Sequence, residues 1–254
     1  GRKPSEYGVT AMNSLLRGAG LSLALLLFGA STASADAILY LDDTSTAGID
    51  VIVADDSAAG TVTDIGASSG ADSNALAGVV SYSGAVGDWI VNVTTGISKP
   101  VFGSDPKTDL NSVNVSSSNS GGTLVIGFSD VDFTWLYNPV EAVLRVGGTT
   151  NGNVQLRVSI DDGNDAFGGL PLGSSSTSVV TGFYSGGAFS DTVYFDGAAT
   201  GTFSLSTEVA ITHGVGVNST SLDAELTVTP EPGSIALCGL AVLGFAVYRR
   251  RRKA

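Results

Sequence analysis

The sequence predicts an all-β fold, an antiparallel β-sandwich of jelly-roll-like type, and three observations predict it. Between residues 36 and 228, short runs of β-branched and aromatic residues are separated by clusters of Gly, Ser, Asn and Asp, the punctuation of strands and turns. Stretches with the apolar period of a helix are nearly absent. Several runs alternate cleanly, Val154, Leu156, Val158 and Ile160 against Gln155, Arg157 and Ser159, so one face turns to a core and the other to water.

Ten strands are expected in order. "AILYLDD" (37–43) and "GIDVIVADD" (48–56) open the domain, and "DWIVNVTTG" (88–96), "NSVNVSSS" (111–118) and "GTLVIGFSDVDF" (122–133) follow. "EAVLRVGG" (141–148), "NVQLRVSIDD" (153–162), "DTVYFDG" (191–197), "GTFSLSTEVAIT" (201–212) and "LDAELTV" (222–228) complete the set. In "DWIVNV" the alternation groups Trp89 with Val91 and Val93 and assigns Trp89 to the core. "GGTTNGN" (147–153) supplies residues tolerant of positive φ, so strands 143–146 and 154–160 are expected to pair across a hairpin there. "SSSNSGG" (116–122) and "GSSSTS" (173–178) read as solvated loops.

Charge narrows the partners. Residues 36–229 carry 22 acidic side chains against Lys99, Lys107, Arg145 and Arg157, a formal charge of −18. Binding phosphate needs Lys and Arg to displace counterions, so nucleic acid and acidic lipid surfaces are poor partners and no nucleic-acid partner is expected, while cations and hydroxyl-rich polymers stay compatible. Cys238, the only cysteine, lies outside this stretch, so the domain holds no disulfide and stands on burial and sheet hydrogen bonds.

The chain ends carry targeting patterns. Residues 12–35 read as a signal peptide: Met12 as initiator, Arg17 as the positive n-region, an apolar core at 21–28, and Ala33 and Ala35 framing a small-x-small site. Cleavage by signal peptidase is expected after Ala35, with Ala37 as the alternative. Residues 1–11 read as an upstream extension or an expression remnant.

The C-terminal residues 229–254 hold the most specific pattern. Residues 234–248 are apolar, about 22 Å long as a helix at ~1.5 Å per residue, against a hydrocarbon core of ~30 Å. Arg249, Arg250, Arg251, Arg252 and Lys253 follow, and their long stems extend such a transmembrane helix by reaching toward the headgroups. The same block stays cytoplasmic and leaves the preceding chain outside the inner membrane. Pro230 and Pro232 keep the segment before the helix extended.

Pro230-Glu231-Pro232, then Gly233, a short apolar segment and a terminal Arg run resemble the PEP-CTERM sorting domain of Gram-negative bacteria. The resemblance implies recognition by an exosortase, cleavage near the motif, and transfer of the ectodomain to the cell surface or extracellular matrix. Glu231 is then a recognition residue. Such proteins accompany exopolysaccharide production and biofilm formation, and the sorting tail is attached to many unrelated ectodomains, so it says nothing of residues 36–228.

Catalytic patterns do not gather support. "GASSG" (66–70) matches G-x-S-x-G with Ser68 at its centre, but that motif needs a strand, a sharp turn and a helix of an α/β sheet. His213, the single histidine, sits at an expected strand end with no nucleophile in sequence context. In "DDGNDAFGG" (161–169), Asp161, Asp162, Asn164 and Asp165 could direct hard oxygen ligands at Ca²⁺, although Leu172 stands where an EF-hand needs Glu; as turn formers the same residues need no metal. Trp135 and Tyr137 in "DFTWLYNP" are the candidate platform for stacking on sugar rings. The expected function is a non-enzymatic, exported structural or adhesive protein that contacts exopolysaccharide or itself. The alternatives are a Ca²⁺-assisted carbohydrate-binding module and a carboxylate-based polysaccharide hydrolase.

Overall fold

A computed structural model describes residues 36–45, 47–55, 68–69, 71–103, 106–118, 120–135, 140–168, 170, 177–197 and 201–230. These residues are all-β and contain no helix. The strands are β1 (Ile38–Asp43), β2 (Val51–Ala54), β3 (Ser68–Ser69), β4 (Val79–Val86), β5 (Trp89–Ile97) and β6 (Lys107–Ser117). Then come β7 (Gly122–Trp135), β8 (Val140–Asp161), β9 (Thr177–Gly197), β10 (Gly201–His213) and β11 (Asn218–Pro230). Hydrogen bonding links them in the order β3-β2-β1-β7-β10-β8-β11-β6-β5-β4, with β9 along the other edge of β8. The β2–β3 pair is parallel and the remaining pairs are antiparallel.

Strand β8 organises the topology. Its first half pairs with β11, from Val140↔Pro230 to Thr150↔Thr220, and its second half pairs with β10, from Asn153↔Thr212 to Asp161↔Ser204. Strand β9 follows both halves on the opposite side, with a register shift between Thr150 and Asn153. The chain therefore passes from one half of the sheet to the other without turning back.

This overturns the hairpin expected at residues 147–153. The glycines there serve close approach, not a turn. A Cβ on Gly148 would lie 2.3 Å from the Ser221 carbonyl oxygen, and one on Gly152 would lie 2.1 Å from that of Thr212. Neither glycine has a positive φ, and Asn151 and Asn153 have none either. Glycine in a strand marks a place where another backbone comes near, and here β11 and β10 do so in turn.

Two further differences concern composition. Strand β4 has the sequence "VVSYSGAV", and the first half of β9 runs through "TSVVTGFYSGG". Neither is among the ten expected strands, and Ser and Gly interrupt the apolar alternation of both. Their pairing partners on β5 and β8 hold them in the sheet regardless.

One core joins the halves. Leu39, Leu41, Leu124, Ile126, Phe128, Leu144, Leu156, Leu205, Val209 and Leu226 are fully buried, and burying each such side chain stabilises by about 1.5–3 kcal/mol. Side chains from the two halves meet across it. The Phe128 ring on β7 covers Gly96 on β5, and Trp89 on β5 lies 4.7 Å from the His213 ring on β10. Trp89 and Val91 are core residues, as their alternation predicts.

Several polar groups inside the core are matched to one another, while the buried hydroxyls of Thr94, Thr108 and Thr207 have no partner among the described residues. Nδ1 of His213 lies 2.8 Å from the Ser117 hydroxyl, and Nε2 lies 2.8 Å from the Thr220 hydroxyl, which in turn lies 2.7 Å from that of Thr150. A neutral imidazole donates at one nitrogen and accepts at the other, which this pair of hydroxyls satisfies. His213 ends β10 at the expected strand end and is a buried structural residue. Lys99 and Asp130 form a buried ion pair at 3.0 Å, with 3% and 0% of their side chains exposed.

Candidate functional site: an acid-rimmed groove on β6, β11, β8 and β9

The outer face of one half of the sheet carries a groove of about 460 Å³. Alternation builds it. Leu110, Ala224, Leu226, Leu144 and Val146 point into the core, so their neighbours along each strand point outward. Register then aligns Asp109 with Glu225, Glu225 with Arg145, and Arg145 with Thr192, one row across four strands. The next row holds Asp223, Gly147 and Ser190, with Asn111 beside it. Gly147 leaves the middle of that row without a side chain, and this opens the floor.

Charge within the groove is arranged unevenly. Arg145 Nη1 donates to Glu225 Oε1 at 2.9 Å, Lys107 Nζ lies 2.6 Å from Oε2, and the Thr227 hydroxyl donates to Oε1 at 3.2 Å. Burial raises the affinity of Glu225 for a proton, but Lys107, Thr227 and Arg145 together outweigh it and hold the carboxyl below its ordinary range. Asp109 goes the other way. Burial pushes it up, Glu225 and Asp223 add to that, and Asn111 and Lys107 offset only part.

The rim is also held in place. Asp223 sits at a bulge and accepts from the Ser112 amide at 2.7 Å, where Ser112 has a φ of 55°. Asp191 accepts from the Tyr184 hydroxyl at 3.0 Å. Burial and that bond push the Tyr184 hydroxyl up to about 12. The Tyr184 ring stacks on Phe189 at 4.6 Å. Two residues along β9 from Thr192, Tyr194 turns an aromatic ring to solvent with 63% of its surface exposed. Fixed carboxylates, a guanidinium, an amide and hydroxyls around an open floor can accept and donate many hydrogen bonds at once. Both oxygens of Glu225 are already committed to cations, which leaves it a poor nucleophile.

Sequence reasoning did not find this groove, since its residues come from four strands spread over more than a hundred positions and only register brings them together. The outward-facing polar pairs "DLN" at 109–111 and "DAE" at 223–225 were the available signal.

The residues singled out in the sequence lie elsewhere. Asp161 is 5% exposed, and its Oδ2 accepts from the Asp165 amide at 3.0 Å. Asn164 and Asp132 exchange two hydrogen bonds of 2.7 Å, so the amide of Asn164 turns toward β7. Asp162 is exposed. The loop itself lies on the outer face of the other half of the sheet: the Ser159 and Ser204 hydroxyls donate to the carbonyls of Gly168 and Asp165, and Phe167 meets Tyr40 edge-on at 4.8 Å. No group of three His, Cys, Asp or Glu side chains placed to hold a metal occurs among the described residues.

Trp135 ends β7, and its side chain lies outside the described residues, as do Tyr137 and Ser68's side chain. Ala33, Ala35, Glu231, Pro232, Gly233, residues 234–248 and Arg249 to Arg252 also lie outside them. Pro230 is described as the last residue of β11, in register with Val140. No helix among the described residues is long and apolar enough to cross a membrane.

Residues 228–252 match the PEP-CTERM protein-sorting motif. The motif implies an exported cell-surface protein processed by an exosortase. Its first residues are those of β11, so no linker separates the sheet from Pro230. No curated protein matches the chain. Among solved structures, the enzymatically active domain of tailspike protein 4 from bacteriophage CBA120 is similar over 74% of this chain and 19% of its own, at 10% identity and a TM-score of 0.32. The module TmCBM61 in complex with β-1,4-galactotriose is similar over 58% of this chain and 92% of its own, at 14% identity and a TM-score of 0.29. An isomalto-dextranase of Arthrobacter globiformis complexed with panose is similar over 59% and 23%, at 10% identity and a TM-score of 0.23.

Proposed function

We propose that this chain is a non-enzymatic structural or adhesive protein with a β-sandwich ectodomain, released by an exosortase into the cell surface or matrix, where it contacts exopolysaccharide. The match of residues 228–252 to the sorting motif carries the reading, because it supports export and exosortase processing. The groove supports the ligand class. Its open, hydrogen-bonding floor and the exposed Tyr194 suit a hydroxyl-rich polymer, and its carboxylates Asp109, Asp191, Asp223 and Glu225 repel polyanions such as nucleic acid.

The test uses the full chain in an exosortase-positive host. The wild-type protein is expected in the surface and matrix fractions, and to pellet with the host's exopolysaccharide. In an exosortase deletion it stays with the inner membrane. Gly147→Phe fills the groove and is expected to leave sorting intact while abolishing co-sedimentation. Unchanged fractionation in the deletion refutes the route, and unchanged co-sedimentation in the variant refutes the groove as the contact.

A further inference from the structure

Asp130 is fully buried on β7 and gathers donors from three segments. The Ser98 hydroxyl donates to Oδ2 at 2.6 Å. Lys99 Nζ lies 3.0 and 3.1 Å from the two carboxylate oxygens, and the Val131 amide reaches Oδ1 at 2.8 Å. The remaining donor is the backbone nitrogen of Asp36, 3.3 Å from Oδ1. That nitrogen is the atom that signal cleavage after Ala35 would free.

We propose that Asp130 is the docking site of the mature N-terminus, so that removal of the signal segment turns an amide contact into an ion pair and completes the Lys99–Asp130 cluster. The step is a hydrolysis. Water adds across the Ala35–Asp36 peptide bond, the carboxylate leaves on Ala35, and the amine stays on Asp36 and takes up a proton. The cluster then holds two cations, Lys99 and the α-ammonium, against two carboxylates, Asp130 and the solvent-facing Asp36. A charge-assisted bond is roughly twice as strong as the neutral one it replaces.

The same geometry chooses between the two cleavage positions. Cleavage after Ala37 would remove the Asp36 donor. It would also remove Ala37, which is 0% exposed and whose carbonyl accepts from the Asp55 amide at 2.9 Å. Retaining Asp36 and Ala37 keeps β1 anchored one residue before its first pairs, Ile38↔Ala54 and Ile38↔Ser129.

The inference rests on the reading that the chain is exported. The experiment recovers the full-length gene product from its secreting host and determines its N-terminus by intact mass and Edman degradation. The folded protein is then labelled with an amine-selective reagent at neutral pH and compared with the same protein in urea. An N-terminus at Asp36 is expected, with α-amino labelling about tenfold slower in the folded state, since an opposite charge within ~4 Å shifts a titration by a unit or more. Asp130→Asn, where it folds, is expected to label at the rate seen in urea; where it does not fold, the wild-type comparison decides. A mature chain beginning at Ile38, or equal labelling rates folded and in urea, overturns the inference and leaves export standing. A chain recovered from the surface with residues 12–35 attached overturns the inference alone, and one recovered from the cytosol with them attached overturns both.

Discussion

The ring of Tyr40 lies across Gly127. A Cβ on Gly127 would sit 2.0 Å from Cε1 of Tyr40, so the glycine is the floor on which the ring rests. From there the hydroxyl donates to Glu208 Oε2 at 2.7 Å, and Arg157 Nη1 donates to Oε1 at 3.1 Å. Register explains the arrangement, since Tyr40, Gly127, Glu208 and Arg157 are successive neighbours across β1, β7, β10 and β8. Burial, then Glu208, pushes the Tyr40 hydroxyl well above its ordinary range, so it stays a donor.

Gly127→Val is therefore expected to destabilise the fold by about 2–4 kcal/mol, from steric displacement of the ring and loss of a donor to a buried carboxylate. Tyr40→Phe keeps the ring and loses the bond alone, for about 1–3 kcal/mol. Urea denaturation measures both. Equal stability of Gly127→Val and wild type would remove the glycine from this role.

Lys99→Met takes from the buried Asp130 carboxylate its side-chain cation. Removing one partner of a buried pair costs about 3–5 kcal/mol, and here both side chains are almost entirely enclosed. The Lys99→Met/Asp130→Leu double variant removes both charges and is expected to recover most of the loss. A double variant no more stable than the single one would show that the other donors to Asp130 matter more than the lysine.

Much of this fold was legible in the sequence, for a physical reason that also limits the reading. Where a strand is buried on one face and open on the other, as in β6 at Val113 and Val115 or β11 at Leu222 and Ala224, alternation reports it directly. Gly147 to Asn153 misled because glycine and asparagine signal a turn by their freedom at positive φ, while close approach of β10 and β11 also demands glycine. Nothing local distinguishes the two uses. Trp89 was legible as core because Val91 shares its parity. The groove was not, because Asp109, Glu225 and Arg145 become neighbours only through register. The sorting motif shows the reverse: Pro230-Glu231-Pro232 lies within the matched residues 228–252, and that match rests on contiguous sequence alone.

His213 gives the fold a defined acid sensitivity. Burial lowers its affinity for a proton, and its immediate partners Ser117, Thr220 and Trp89 are uncharged. The unfolded chain, with an ordinary imidazole near 6.5, then binds more protons than the folded one between the two values. Stability from this residue is full above about pH 6.5 and falls as the pH drops toward the folded value, with a slope of up to ~1.4 kcal/mol per pH unit. Denaturation midpoints between pH 7.5 and 5 are expected to decline for wild type and to flatten for His213→Gln. Parallel slopes for the two proteins would assign the decline to carboxylates instead.

β11 is the last described strand of the sheet. This strand lies between β6 and β8, with Thr227 opposite Lys107 and Val143, and the Val228 amide donating to the Pro106 carbonyl at 2.9 Å. Leu226 is 0% and Val228 3% exposed. β11 is described as far as Pro230, which pairs in register with Val140 of β8 and has no N–H to donate. Processing that leaves Pro230 in place is expected to leave stability unchanged, and a chain stopped after Pro230 should melt with the naturally processed one. A chain stopped after Glu225 loses both buried side chains, at about 1.5–3 kcal/mol each, before the lost ladder bonds are counted. A domain of this size loses roughly 2–4 °C per kcal/mol, so its midpoint is expected to fall by about 10 °C or more in calorimetry. Mature protein whose mass places its end before Val228, with an undiminished midpoint, would show that β11 is dispensable at its C-terminal end.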